Sequence, residues 1–298
     1  MTASSPAEAT WLFDSGRPGP TVAVSFGVHG NERPPIDAGQ RLVRMFAEGE
    51  LSVAAGRLLL IHANPRASEE DQRWSQGGVD LNRCFHPSVL GREPELHEEH
   101  RARAVAAALE ETGAEVLVDF HCTVEPGRRF LMQHPPAGDA QHGAVYRFLA
   151  AEVLLTDPRL NFGGVSLDEY MSTRGRVGIC YETGWIGDPA NTPEFVLEEM
   201  RNLLAGLGVL AGEAAREHGS KELLELGEPL SCSGQGFRWS EGVGENLQAL
   251  PAGTVLGRYG DGREERLAAD ATLIFPKKKP ELVQVGKPLV QLATRVEG

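Results

Sequence analysis

Short, nearly continuous apolar runs that alternate with helix-like segments constrain the fold of this chain most strongly. A β-rich run at Thr21–Phe26 is followed by apolar runs at residues 57–63, 116–120 and 177–181. Strands made of nearly continuous apolar residues are typical of parallel sheets that are buried on both faces. The sequence therefore predicts an α/β fold, in which a mixed, mostly parallel sheet is flanked by helices on both faces.

Helix signals lie between these runs. Apolar periodicity predicts helices that begin near Pro34 and Pro35, that cover residues 93–112 and 143–155, and that follow Thr192. Gly113 is a typical C-terminal stop for the second of these helices. Thr192 suits the N-cap of the last helix, because its hydroxyl can accept a hydrogen bond and Pro193 fits the first helical position.

The composition changes after about residue 219. The tail is rich in glycine and proline, and short β-like runs occur at residues 254–256, 271–275, 282–285 and 288–292. Strands separated by Gly/Pro turns are typical of small β domains. We therefore predict two domains, a larger one over residues 1–218 and a small β-rich one over residues 219–298.

Composition and charge argue against several classes of function. The 298-residue chain has a formal net charge of −13, which disfavours a nucleic-acid partner or an anionic membrane surface. No window approaches the roughly 18 consecutive apolar residues of a membrane span, and the N-terminus lacks the regions of a secretory signal. Four cysteines do not make a disulfide framework. These features predict a cytoplasmic protein, in which an anionic substrate needs locally placed arginines.

Ligand-type side chains follow two of the predicted strands. His29 and Glu32 come three residues apart after the first strand, and His121 ends the apolar run at residues 116–120. Open α/β sheets bind ligands at the carboxyl ends of their strands. Two histidines and one carboxylate are a ligand set of catalytic zinc that leaves one position open for water, and Asp119 could orient a ligand. The alternatives are a surface or capping pair for His29 and Glu32, and a backbone hydrogen bond for His121.

Two further segments carry charged groups that suit amide hydrolysis. Asn82 and Arg83 are adjacent in a polar loop that follows Arg73, and a guanidinium can clamp a carboxylate with two hydrogen bonds. Glu182 follows the last apolar run, where a single carboxylate beside a metal-bound water would serve as the general base. The alternatives are a solvated loop with a surface arginine, and a glutamate in contact with solvent.

In this order and spacing, the segments together resemble the succinylglutamate desuccinylase/aspartoacylase family of the zinc-carboxypeptidase clan. The resemblance covers about residues 21–185. It implies one Zn²⁺ per chain, bound by His29, Glu32 and His121. It also implies that Glu182 is the general base and that Arg73 polarises the scissile carbonyl. The residues that it assigns to substrate binding are Asn82, Arg83, Tyr170 and Arg174.

Tyr170 and Arg174 match a tyrosine and an arginine that the family uses shortly before its catalytic glutamate. Because the other two arginines already have roles, Arg174 is left to bind a second carboxylate of the substrate. The alternative is an ion pair between Arg174 and a neighbouring acid, Asp168 or Glu169.

The function that the resemblance implies is a zinc-dependent amidohydrolase, with a zinc-bound water as the nucleophile. It would remove the acyl group from a small, anionic N-acyl amino acid, and residues 1–218 would form its catalytic domain. Two alternatives stay open, a metallocarboxypeptidase that acts on peptides and a non-catalytic zinc- or ligand-binding protein. The oligomeric state is open as well, a homo-oligomer included.

The C-terminal region departs from the family at one point. In aspartoacylases the β domain contributes a tyrosine to the substrate pocket, and residues 275–281 of this chain contain no tyrosine. This difference argues against N-acetylaspartate as the substrate. The three lysines at residues 277–279 are interpreted as a charged turn that protects an exposed strand edge.

Overall fold

The computed structural model describes residues 2–135, 139–159, 165–212 and 214–296. The elements of the first part of the chain are β1 (Thr2–Ser4), β2 (Thr10–Asp14), β3 (Thr21–Phe26), α1 (Arg33–Ala47), β4 (Arg57–His62), α2 (Pro65–Glu69), a 3₁₀ turn (Leu81–Arg83), α3 (Pro87–Leu90) and α4 (His97–Thr112). They are followed by β5 (Val116–Thr123), β6 (Phe130–Gln133), α5 (Ala140–Tyr146), β7 (Val153–Thr156), α6 (Leu167–Ser172), β8 (Val177–Trp185) and α7 (Pro193–Gly206). The predicted alternation of strands and helices is confirmed.

The C-terminal region consists mainly of short strands. They are β9 (Glu222–Leu226), β10 (Leu230–Ser231), β11 (Arg238–Trp239), β12 (Gln248–Leu250), β13 (Val255–Arg258), β14 (Glu264–Arg266), β15 (Ala271–Ile274) and β16 (Pro288–Arg295), with a 3₁₀ turn at Pro280–Leu282. The predicted β character of this region is therefore confirmed.

Four parallel strands form the centre of the main sheet, in the order β4, β3, β5 and β8. Antiparallel strands border this group, β2 beside β4 and β6 beside β8. At the carboxyl end of β3, Phe26 is paired with His62 in β4 and with Phe120 in β5. His121 in β5 is paired with Glu182 in β8. The carboxyl ends of the parallel strands therefore lie at one edge of the sheet, which we call the carboxyl edge.

Helices cover both faces of this sheet, as predicted. α1 and α7 pack on one face, where Leu42, Phe46 and Met200 belong to one cluster of buried apolar side chains. α4 and α6 pack on the other face, where Leu109 and Met171 belong to a second cluster. Val22, Val24 and Phe26 of β3 belong to the first cluster and Ala23 belongs to the second, because successive side chains of a strand point to opposite faces of the sheet. The described helices include no candidate for a bilayer-spanning segment.

Two predicted elements are wrong. Residues 143–155 do not form one helix, because α5 ends at Tyr146 and Val153–Thr156 is the strand β7. A short apolar run fits a buried helix or a buried strand equally well, and pairing with β6 and β9 makes this one a strand. Residues 282–285 are not a strand either, since they lie at the end of the second 3₁₀ turn and in the loop that follows.

The main sheet continues into the C-terminal region. β9 is paired with β7 on one side and with β16 on the other, and β15 and β12 follow. β11, β13 and β14 form a separate three-stranded sheet. A cluster of buried apolar side chains that includes Phe237, Leu256 and Tyr259 belongs to this region alone. The division into domains at residues 218 and 219 stays a proposal.

Gly30 allows the loop between β3 and α1 to approach α2 closely. A Cβ atom at this position would lie 2.0 Å from the carbonyl carbon and 2.1 Å from the oxygen of Ala67. Because these are backbone atoms, the clash can be relieved only by moving α2 or the loop. We expect Gly30→Ala to lower the free energy of unfolding by about 1–3 kcal/mol in chemical denaturation.

Gly219→Ala is the matched control, because a Cβ atom there would meet no atom within 4 Å. We expect the control to change stability by no more than about 0.5 kcal/mol. Equal effects of the two substitutions would contradict the role of close approach at Gly30.

Candidate active site

A buried cluster of two histidines and one glutamate lies at the carboxyl edge. His29 and Glu32 come from the loop between β3 and α1, and His121 lies near the end of β5. The atoms with which they could bind a metal ion all lie within 4.8 Å of one another. His29 Nδ1 is 2.7 Å from Glu32 Oε1, and His121 Nδ1 is 3.1 Å from Glu32 Oε2. Both imidazoles therefore direct their Nδ1 atom toward the carboxylate of Glu32.

The other nitrogen of each ring is held by a second carboxylate. His29 Nε2 lies 3.2 Å from Asp80 Oδ1, and His121 Nε2 lies 2.7 Å from Asp119 Oδ2. A carboxylate that accepts a hydrogen bond from Nε2–H fixes the ring orientation and leaves Nδ1 to face the cluster. Asp119 therefore occupies the orienting position that the sequence suggested, and Asp80 does the same for His29.

The acids of the site favour the positively charged form of the two histidines that face Glu32. Burial alone would lower the pKa of both histidines, but Glu32 and Asp80 raise the pKa of His29. Asp119 and Glu32 likewise raise the pKa of His121 well above its usual value. Burial would raise the pKa of Glu32, but the charges of His29 and His121 outweigh it and hold this pKa far below its usual range.

Glu182 lies beside the cluster in β8, next to His121 in the neighbouring strand. Its side chain is buried, and within the described residues its Oε2 atom has no hydrogen-bond partner. Burial raises the pKa of Glu182 to about 7, although the nearby positive charge of His121 acts in the opposite direction. A carboxylate with such a pKa can both accept and release a proton near neutral pH.

Arg73 is connected to His29 through Asp80. Its Nη2 donates a hydrogen bond of 3.0 Å to Asp80 Oδ2, while Asp80 Oδ1 faces His29 and accepts a hydrogen bond from the backbone N–H of Asn82. No role for Asp80 was predicted from the sequence. Its position two residues before Asn82, in the same polar loop, was the available signal.

Glu98 anchors the loop that carries Arg73 and Asp80. Its carboxylate is fully buried and accepts hydrogen bonds from the backbone N–H and hydroxyl of Ser75, at 2.9 and 2.7 Å. Val79 N–H and Asn64 Nδ2 donate two more, at 3.3 and 3.2 Å. This residue was not predicted from the sequence, because a glutamate in the first turn of a helix is ordinarily a solvated group.

Asn82 and Arg83 lie in the same loop, in the 3₁₀ turn. The Oδ1 atom of Asn82 accepts a hydrogen bond of 2.9 Å from Leu167 N–H, which orients its side chain. Arg83 is exposed, donates to the Asn82 carbonyl, and has no ion pair within the described part of the chain. Its positive charge is therefore free to bind an anion.

Tyr170 and Arg174 do not join the cluster. The Arg174 guanidinium stacks 3.5 Å above the Tyr170 ring and its Nε lies 2.9 Å from Glu110 Oε1. The Tyr170 hydroxyl also donates to Glu110. Arg174 precedes β8, whose first residue is paired with Val116 at the start of β5. Five residues of strand separate that position from His121, a distance of about 16 Å at roughly 3.3 Å per residue.

The structure therefore does not bring Tyr170 and Arg174 to the cluster, and their assignment to substrate binding stays a prediction. Arg174 lies at the edge of the sheet opposite to the cluster, and an acid from α4 pairs with it. Arg174 does form an ion pair, as the alternative prediction stated. Its partner, however, is Glu110 of α4 and not Asp168 or Glu169. Arg174 is close to Glu182 in the sequence, which suggested that they share a site. In the structure, Arg174 precedes the first residue of β8 and Glu182 lies near the other end of that strand.

The fold and the cluster define an α/β protein with a buried ionisable site at the carboxyl edge of its sheet. A sequence model of the succinylglutamate desuccinylase/aspartoacylase catalytic domain matches residues 18–184, more than half of the chain. The chain therefore belongs to the succinylglutamate desuccinylase/aspartoacylase family.

Individual relatives agree with this membership. The succinylglutamate desuccinylase of Vibrio campbellii is 24% identical over 303 residues, which are 93% of this chain and 82% of that protein. The one from Erwinia tasmaniensis is 42% identical over 64 residues, 22% of this chain, and the match spans only 18% of that relative's length. The crystal structure of the succinylglutamate desuccinylase from Chromobacterium violaceum has a TM-score of 0.75 at 20% identity, covering 97% of this chain and 89% of that chain. This likeness shows the fold.

We expect Glu98→Gln to weaken the loop that carries Arg73. A glutamine has one acceptor oxygen, and its NH₂ group would face either the donors of Ser75 and Asn64 or the donor of Val79. Leaving buried donors without an acceptor should lower the free energy of unfolding by about 1–3 kcal/mol in urea denaturation. Hydrogen exchange at the Ser75 and Val79 amides should become faster than in Glu95→Gln, whose side chain is 82% exposed. Equal exchange in the two variants would contradict the anchoring role.

Glu182 should make the stability of the metal-free protein depend on pH. Its pKa is raised to about 7 in the folded state, against about 4.3 in an unfolded chain. Between these values the folded state binds more protons, so stability falls as pH rises. In chelator, Glu182→Gln should therefore stabilise the protein relative to wild type more at pH 8 than at pH 5. Glu93→Gln, at a 95% exposed side chain, should show no such difference in thermal unfolding, and a pH-independent effect of Glu182→Gln would contradict the raised pKa.

Proposed function

We propose that this protein is a zinc-dependent hydrolase that removes the acyl group from an N-acyl amino acid. The observation that carries the proposal is the convergence of His29 and His121 on Glu32, beside Glu182, whose Oε2 atom has no hydrogen-bond partner among the described residues. Membership of the succinylglutamate desuccinylase/aspartoacylase family supports it, because the names of its members describe removal of acyl groups from amino acids.

The residues present fit a zinc ion. Two imidazole nitrogens and a carboxylate are the donor types of catalytic zinc sites, and three protein ligands leave a position for water. Asp80 and Asp119 lie behind the two histidines, as carboxylates do in many zinc sites. The cluster also raises the pKa of both histidines, so that it stabilises a positive charge where a cation would bind. We propose one zinc ion per chain, held by His29, Glu32 and His121.

A zinc ion in this site would lower the pKa of water and polarise an amide carbonyl. Glu182 accepts the proton of the attacking water, whose oxygen forms a bond to the acyl carbon. Arg73, which is hydrogen-bonded to Asp80 beside His29, stabilises the negative charge on the carbonyl oxygen. Glu182 then donates its proton to the leaving nitrogen as the C–N bond breaks. The products are a carboxylate from the acyl group and a free amino acid.

Asn82 and Arg83 are the proposed contacts to the α-carboxylate of the substrate. Asn82 is buried and oriented by Leu167, whereas the guanidinium of Arg83 has no acidic partner in the described chain. An arginine without an internal ion pair can bind a carboxylate through two parallel hydrogen bonds.

We also propose that residues 1–218 form the catalytic domain, that residues 219–298 form the β domain, and that the protein is cytoplasmic.

We expect His29→Ala and His121→Ala to lose both zinc and activity. Metal content is measured by mass spectrometry, and activity as amine release from N-succinylglutamate, N-acetylaspartate and N-acetylalanine. Glu182→Gln should keep zinc but lose turnover by about 10²–10⁴-fold, because it removes only the proton acceptor. His100→Ala, at an exposed histidine of α4, is the control and should match wild type. Full zinc content in both histidine variants would overturn the metal site, and faster cleavage of peptides than of N-acyl amino acids would favour a carboxypeptidase.

A further inference from the structure

The pairing of β8 with β5 becomes irregular directly after Glu182. Between the pair of His121 with Glu182 and the pair of Thr123 with Trp185, β8 has two residues and β5 has one. Such a β-bulge bends its strand, and bulges often lie next to active sites, where they redirect a side chain. Gly184 in the bulge has a φ of 133°, which residues other than glycine rarely adopt. The backbone therefore leaves regular sheet geometry at the residues that follow the proposed general base.

The pairing of β8 with β6, on its other side, ends at the same point. Glu182 is paired with Phe130, which is the first residue of β6. The residues of β8 that come after Glu182 have no partner in β6. A buried backbone carbonyl outside a ladder needs another donor. Glu182 is thus the last residue of β8 that regular pairing holds on both sides.

Two side-chain donors hold the backbone beyond Glu182. Thr183 is fully buried, and its hydroxyl donates a hydrogen bond of 2.9 Å to the carbonyl of His121 in β5. On the side of β6, the Nε atom of Arg129 donates a hydrogen bond of 3.1 Å to the carbonyl of Thr183. Side-chain hydrogen bonds thus fix the bulge where regular pairing is missing.

A second contact orients the guanidinium of Arg129. Its Cζ atom lies 4.0 Å from the centroid of the Phe195 ring, in the first turn of α7. The face of an aromatic ring attracts a cation. Within the described residues Arg129 forms no ion pair, so no carboxylate competes for its guanidinium. Arg129 therefore connects α7 to the carbonyl next to Glu182.

We propose that Arg129 is a positioning residue for Glu182. The Oε2 atom of Glu182 has no hydrogen-bond partner within the described residues, so the direction of this side chain depends on the backbone that carries it. Arg129 holds that backbone through the carbonyl of Thr183. The inference rests on the proposed function, in which Glu182 is the general base, and Arg129 acts only through it.

The first test separates kcat from KM. Arg129→Met keeps an unbranched side chain against Phe195 but removes the donor. We expect kcat for N-acyl amino acids to fall by about 10- to 100-fold, with KM and zinc content unchanged, because a small misplacement of a catalytic group is costly. Arg129→Lys keeps a donor and should recover most of the loss. Arg128→Met is the matched control and should leave kcat unchanged, since Arg128 is exposed and pairs with Glu222 in β9.

A double-mutant cycle tests whether Arg129 acts through Glu182. In a Glu182→Gln background, Arg129→Met should lower the remaining turnover no further, because the effects of residues that act as a unit are not additive. The same fold-loss in both backgrounds, or a loss of zinc from Arg129→Met, would overturn the proposal.

A second variant covers the case in which Arg129→Met does not fold. Phe195→Leu removes the ring and leaves the donor of Arg129 in place. We expect it to lower kcat by about two- to fivefold with KM unchanged, as for the loss of a cation–π contact. An unchanged kcat in Phe195→Leu would then contradict the proposal.

Hydrogen exchange separates this proposal from the proposed function, because it needs no turnover. The Ile186 N–H, just beyond the bulge, donates a hydrogen bond of 2.8 Å to the carbonyl of Thr123. In chelator, we expect this amide to exchange at least about fivefold faster in Arg129→Met than in wild type or Arg128→Met, since the strand end opens more often. If this held while no N-acyl amino acid was cleaved, only the proposed function would fail. Equal exchange in the three proteins would overturn the role of Arg129 even in an active deacylase.

Discussion

The rest of the site depends on the buried carboxylate of Glu32. It lies 2.7 Å from His29 and 3.1 Å from His121, and it accepts a hydrogen bond from the backbone N–H of Cys122. A buried charge is costly unless it is paired and hydrogen-bonded. Glu32 therefore ties the start of α1 to the end of β5, and it requires positive charge on the two imidazoles or between them. The same requirement makes the cluster suitable for a metal cation.

Further acids hold this centre in place. Asp80 and Asp119 orient the two histidines from behind, and Glu98 holds the loop that carries Asp80. Glu182 differs from them, since one of its oxygens is unpartnered within the described residues and burial raises its pKa to about 7. The acids that accept hydrogen bonds thus fix the geometry of the site. Glu182, whose Oε2 atom accepts none within the described residues, can exchange a proton.

Local signals predicted much of the fold. Apolar runs identified the four central parallel strands, and capping signals identified α1 and α7. The error at residues 143–155 has a different origin, because the choice between helix and strand for Val153–Thr156 depends on its neighbours β6 and β9. Those neighbours are distant in sequence, and no local pattern reports them.

The sequence by itself determined which residue types meet at the carboxyl edge, since strand ends and metal-ligand chemistry are local properties of His29, Glu32 and His121. Only the tertiary structure decided which cations accompany them. Arg174 is eight residues from Glu182, yet an extended strand carries it to the opposite edge, where Glu110 binds it. Phe275 is far from Glu182 in the sequence, yet its ring packs on Phe130 in β6, which is paired with Glu182 in β8. Strand length and packing between distant segments set these positions, and neither is encoded in the spacing of residues along the chain.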